Sequence, residues 1–319
     1  MPGKPTARWF VTTRFSEMSW LLFAFSGPVL WAMSTHLDKY LVERYFKHSD
    51  VTLLLLFTAF MGVAMLPFIA LFEPAVIDLP LGSVALILLS GVLYMSGLLF
   101  YLRAIQSEEA SVVAPLFQAA PLFGYVLAYF VLGETLSARQ LVGGGMIIAG
   151  TLIVSVRLDR TVGAFKERLV LLMLGCGLAM ALSGLIFKVF ALRIDFWAAT
   201  FWLFVGEAIF GGALLATPSY RRQFVALLRR DPAALLAISG SNELFNLGGT
   251  LGTRYALLLA PLSLVQAIGS TTTLFVFAFG VALSVFYPQS FREKLTARDL
   301  AQKALATVVV AVGVALVTR

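Results

Sequence analysis

The sequence predicts an all-α integral membrane protein of ten transmembrane helices, arranged as two inverted five-helix repeats. Three observations carry that prediction. Hydrophobic residues make up 60% of the 319 and charged residues only 13%, with a mean hydropathy of +0.90; a soluble domain has about 45–50% apolar and about 25% charged residues. Apolar runs of about 20 residues, the length that crosses a bilayer, recur along the whole chain. Polar landmarks in the first half return at matching places in the second.

The ten spans fit near 19–42, 51–72, 82–105, 111–132, 138–157, 169–192, 196–217, 233–256, 261–286 and 299–317. This divides the chain into an N-terminal tail (1–18), a first repeat (19–157), a basic connector (158–168) and a second repeat (169–319). Lys4, Arg8 and Arg14 precede the first apolar run and no A-x-A-like cleavage site follows, so the first helix is expected to stay attached. Two connectors read as basic amphipathic helices lying on lipid headgroups. One, Asp159 to Arg168, carries Arg160, Lys166 and Arg168; the other, Pro218 to Pro232, sets Arg221, Arg222, Arg229 and Arg230 around Phe224, Val225, Leu227 and Leu228. The net charge of +7 sits in such clusters without interleaved aromatics, which points to the bilayer as partner and away from nucleic acid. Cys176 is the only cysteine, so neither an intrachain disulfide nor a cysteine metal cluster can form. No cofactor or metal is expected. Trp20, Trp197 and Tyr287, near span ends, fit an interfacial aromatic belt.

The repeat shows when one half is slid along the other. Ser34 meets Ser183 and Lys39 meets Lys188, each serine five residues before its lysine. Pro67 meets Pro218, Gly97 meets Gly249 and Leu122-Phe123 meets Leu274-Phe275. The turn ETLSARQ (Glu134 to Gln140) meets EKLTARD (Glu293 to Asp299). An odd number of spans per half inserts the second half upside down, the plan of secondary transporters with a site near the midplane.

The stretch from Ala110 to Arg157 reads as a helix broken by Pro115 and Pro121, a short turn at Gly133-Glu134, and a helix faced by Gly143, Gly144 and Gly145. A proline inside a soluble helix costs about 3 kcal/mol; membrane helices tolerate one where neighbours satisfy the freed carbonyl. The pattern PLF…LGE-x-L-S-x-x-Q-x-x-G, carried by Pro121, Gly133, Glu134, Leu136, Ser137, Gln140, Gly143 and Gly150, resembles the EamA branch of the drug/metabolite transporter superfamily. The resemblance covers roughly residues 19 to 317. The second half departs from it, with Thr273 at the place of Pro121, Arg292 before Glu293, and Gln302 for the glycine matching Gly143. The resemblance implies a permease moving a small polar or amphipathic metabolite by alternating access. It also implies a cell-membrane location, plasma or inner, with both termini in the cytosol. The basic connectors read the other way under the positive-inside rule, while the three N-terminal basic residues side with the resemblance. Substrate and oligomeric state are not legible.

Charges inside spans cost about 2.5–3.5 kcal/mol each on insertion scales and therefore face a cavity or a partner. Glu207 lies in the middle of the seventh span. Glu243 lies in the eighth, with Asn242 and Asn246 beside it; Glu243 and Asn246 share a face. These residues are read as substrate-binding, able to hold an amine or a coupling proton, against the alternative of a structural hydrogen-bond knot. Lys39 and Lys188 either snorkel or approach the site to pair with Asp38, Glu207 or Glu243. Gln118 and Gln266 are expected to face each other across the cavity, with Tyr94 and Trp31 deeper candidates. Glu134 and Glu293 read as structural corners, together with Pro115 and Pro121. An enzyme, or a protein handling lipid head groups, is the alternative. Only two histidines, His36 and His48, are present, and no H-E-x-x-H, G-x-S-x-G or paired aspartate occurs, so the chemistry of such an enzyme has no visible home.

Overall fold

A computed structural model describes residues 14–46, 49–107, 116, 119–155, 167–230, 232–286 and 297–317. Among them there are helices and turns and no strand. The helices are α1 (Arg14–Arg44), α2 (Leu54–Phe72), α3 (Leu81–Ser107), α4 (Ala119–Leu132), α5 (Ala138–Ser155), α6 (Glu167–Arg193), α7 (Phe196–Ala216), α8 (Pro218–Arg230), α9 (Pro232–Leu259), α10 (Leu262–Gly269), α11 (Thr272–Phe286) and α12 (Ala297–Val317). Five segments are long and apolar enough to cross a membrane: Val51–Phe72, Leu81–Ala104, Glu167–Arg193, Phe196–Ala216 and Leu262–Leu283. Three shorter apolar helices, Ala120–Leu132, Ala138–Ile153 and Ala304–Val317, accompany them. The chain is a multi-pass membrane protein.

The helices pack in crossed pairs. α1 lies on α9, α3 on α6, α2 on α7 and α5 on α12, while α4 rests on α6 and α10. Small residues permit the closest approaches, as expected where dispersion rather than hydrophobicity drives association. At the α5–α12 crossing, a Cβ at Gly143 would meet the Gly313 carbonyl at 2.7 Å. Gly249 lies under Trp31 where α9 crosses α1, and Gly97 lies under Met180 where α3 crosses α6. The sequence slide brings Gly97 to Gly249, so the two crossings use matched positions.

Local chemistry explains the element boundaries. Asp195 starts α7, its Oδ1 accepting from the amides of Trp197 (2.6 Å) and Ala198 (3.0 Å), two donors that no helical carbonyl reaches. The α4–α5 turn accounts for much of the LGE-x-L-S-x-x-Q pattern. Gly133 has φ +66, the left-handed conformation that suits glycine at a helix C-terminus, and the Glu134 amide reaches back to Ala128 O (3.2 Å) as in a Schellman closure. Ser137 and Gln140 then form a reciprocal capping box: the Gln140 amide donates to Ser137 Oγ (3.2 Å) and the Ser137 amide to Gln140 Oε1 (3.0 Å).

Two expectations change. The fourth span, expected to break at Pro115 and Pro121, is described at residue 116 and from 119 on, with Pro121 inside α4; Pro115 lies outside the described residues. A break that was not expected falls in the ninth span, between α10 and α11, at Ser270 and Thr271. There Ser270 Oγ, Thr271 Oγ1 and Thr272 Oγ1 donate to the carbonyls of Ala267, Ile268 and Gly269, a competition with helical bonding that bends helices without proline. Trp20, expected at the interface, is buried against the core.

Candidate functional site

The mid-span charges gather where α1, α2, α3, α7 and α9 meet. Glu207 on α7 is 2% exposed and Arg254 on α9 is 6% exposed; Arg254 Nη2 donates to Glu207 Oε1 at 2.9 Å. The guanidinium lies over three rings, at 5.3 Å from Tyr94, 5.4 Å from Phe204 and 5.7 Å from Phe187. A cation with an acid on one edge and aromatic faces around it is held by charge pairing and ring quadrupoles together. Nη1 of Arg254 is buried without a hydrogen-bond partner.

A second, acidic branch lies nearer the start of α9, about three turns before Arg254. Asn242 is 2% exposed and ties two residues of α1: Ser34 Oγ donates to its Oδ1 (2.7 Å) and its Nδ2 donates to Asp38 Oδ1 (2.7 Å). Glu243, 5% exposed, accepts from Thr58 Oγ1 of α2 (3.1 Å), with Asn246 one turn on along the same face of α9. One turn further along α2, Gly62 faces Glu207: a Cβ there would lie 3.4 Å from Oε2. A single stripe of α2, Thr58 and Gly62, thus borders both buried glutamates. Three carboxylates and one guanidinium meet in a zone flanked by apolar spans. That arrangement can hold a proton or an organic cation, because an unbalanced negative charge in low dielectric needs one.

The remaining candidates divide. Lys188 pairs with Glu134 at 2.5 Å and not with Asp38, Glu207 or Glu243. Its Nζ also donates to Ala260 O (2.6 Å), while Glu134 Oε2 accepts from the Leu262 amide (2.9 Å). The cation therefore sits on the carbonyl end of α9 and the carboxylate on the amide end of α10, matching both helix dipoles. Gln266 is wedged between α4 and α6: a Cβ at Gly124 would meet its Oε1 at 2.0 Å, and one at Gly184 its Nε2 at 3.7 Å. Gln118 and Glu293 lie outside the described residues, as does the side chain of Lys39.

Sequence reasoning did not single out Arg254. The available signal was Glu207, an acid at mid-span that demands a partner. Asp38, weighed only as a partner for a lysine, is bonded by Asn242.

Buried charge inside a bundle of apolar helices places the chain among the multi-pass membrane proteins. Residues 18–156 match the model of the EamA-like transporter family, in agreement with the resemblance carried by the LGE-x-L-S-x-x-Q pattern. That family is one of membrane transporters. No curated protein sequence matches. One solved crystal structure aligns over 95% of this chain and 96% of its own, with a TM-score of 0.64 and 16% identity, and so shares the fold.

Proposed function

We propose that the protein is a secondary-active permease, working as an exporter, that carries a small polar or amphipathic metabolite by alternating access. Two inverted five-helix repeats of ten spans would supply the two states. The matched crossings support this reading: Gly249 under Trp31 mirrors Gly97 under Met180, and the Ser34–Asn242 bond mirrors the contact of Ser90 with Ser183. The observation that carries the function is the burial of Glu207 and Glu243 at mid-span beside Arg254, Asn242, Asn246 and Tyr94. In this reading Glu243 and Glu207 carry the coupling proton or receive the substrate's positive group, and Tyr94 and Asn246 contact the substrate. Gln266, Gln118, Lys39 and Lys188 shape the route. A proton or a counter-substrate supplies the driving force.

A thermal-shift screen of purified protein against amino acids, nucleosides, polyamines and lipid head groups would find the ligand, and proteoliposomes would then measure its movement. Glu207→Gln and Glu243→Gln should each reduce uptake or flatten its pH dependence. If both variants match wild type, the proposed role is wrong. The location proposed is the cell membrane with cytosolic termini. Arg222→Cys should then react with an impermeant reagent on intact cells; labelling only after lysis reverses the orientation.

A further inference from the structure

The α8 helix has one face that the bundle uses and one that it does not. On the inner face Phe224 and Leu227 are buried. The Phe224 ring lies 5.5 Å from Phe57 and 5.7 Å from Phe60 of α2. Tyr220 OH accepts from Arg103 Nη2 of α3 (2.8 Å), and Gln223 Oε1 accepts from the Asp50 amide (3.1 Å). These contacts fix the helix along the end of α2 and α3, so its outer face is held in place.

That outer face carries a shallow, open groove lined by Arg221, Arg222, Val225, Ala226 and Arg229. Residues 222, 226 and 229 follow helical spacing on one side, with 221 and 225 beside them. All five are exposed. None of the three arginines has an acidic partner among the described residues. Three unpaired guanidiniums around an apolar floor present forked donors for phosphate oxygens and a surface on which hydrocarbon can rest.

We propose that this groove binds the headgroup phosphate of an anionic phospholipid, with the acyl chains running past Val225 along the bundle. A lipid fits better than a soluble anion for two reasons. The floor is apolar, and α8 follows directly on α7, one of the segments long and apolar enough to cross a membrane. The site stands apart from the buried cluster and does not depend on how transport is driven.

The test uses the full chain in nanodiscs of phosphatidylcholine alone or with one third phosphatidylglycerol, reading retained lipid by native mass spectrometry and the thermal midpoint alongside. Phosphatidylglycerol should be retained and should raise the wild-type midpoint. In R221Q/R222Q/R229Q retention should fall roughly tenfold or more, from about a unit charge's attraction per arginine, with the midpoint in phosphatidylcholine unchanged. The lysine triple variant should keep most of the retention. Should the glutamine triple variant fail to fold, R222Q and R229Q singly should each lower retention a few-fold. Three results overturn the proposal. The first is unchanged retention in the glutamine variants. The second is an equal fall in R139Q/R193Q, which would mean general surface charge. The third is displacement of phosphatidylglycerol by inorganic phosphate, which would mean a free-anion site.

Discussion

α9 crosses α1 and α3 crosses α6 in the same manner, yet the chemistry beside the two crossings is opposite. Gly249 lies under Trp31 in the first and Gly97 under Met180 in the second. A serine from each long helix completes the lock: Ser34 with Asn242, and Ser183 with Ser90. The slide that sets Ser34 on Ser183 sets Asp38 on Phe187. The slide that sets Gly97 on Gly249 sets Gly91 on Glu243 and Tyr94 on Asn246. One crossing has thus become acidic while the other has become aromatic. The two sets converge on one place, since Phe187 and Tyr94 face the guanidinium that neutralises Glu207. The glycines and serines that pack at the two crossings correspond under these slides, while Asp38, Glu243 and Asn246 correspond to Phe187, Gly91 and Tyr94.

The largest effect should come from separating the charges. Glu207→Leu leaves Arg254 buried without its acid, and such losses run to about 3–5 kcal/mol; the thermal midpoint in detergent should fall sharply. The double variant Glu207→Leu, Arg254→Leu should recover most of that loss. If the single and double variants are equally unstable, the pair is not what holds α7 to α9.

The corner pair comes next. Glu134→Gln removes charge from Lys188 while keeping an acceptor for Leu262. A loss of about 1.5–3 kcal/mol is expected for bonds to charged groups, again read by thermal unfolding. An unchanged midpoint would mean that the α9–α10 corner is held by its backbone alone.

The crossings themselves separate by the stiffness of what covers them. Gly249→Ala pushes a methyl into the rigid Trp31 indole and should cost about 1–3 kcal/mol. Gly97→Ala meets the flexible Met180 side chain, which can move aside, and should cost less. The reverse order would break the comparison. Smallest of all, Ser90→Ala should cost about 0.5–1.5 kcal/mol. Asn242→Ala should exceed it, because it removes bonds to both Ser34 and Asp38.

What was legible in the sequence was local. Hydropathy marks a membrane helix from within one run of residues, so the helices appear close to where composition puts them. The Gly133, Ser137 and Gln140 signals act within a few residues of one another, and their roles follow from spacing. Partners far apart in sequence were not legible. Lys188 lies on α6 and Glu134 in the α4–α5 turn, and nothing near either one names the other. Arg254 drew no attention because its acid is 47 residues away. The break in the ninth span escaped notice because serine and threonine back-bonding leaves no proline to mark it.

The central claim is that the acidic side of this comparison moves a solute. The direct measurement is counterflow in proteoliposomes of the ligand found by thermal shift, with wild type, Glu243→Gln and Ser90→Ala side by side. The account predicts saturable counterflow in wild type, retained in Ser90→Ala and lost or strongly reduced in Glu243→Gln. Flux that never saturates, or Glu243→Gln counterflow equal to wild type, would contradict it.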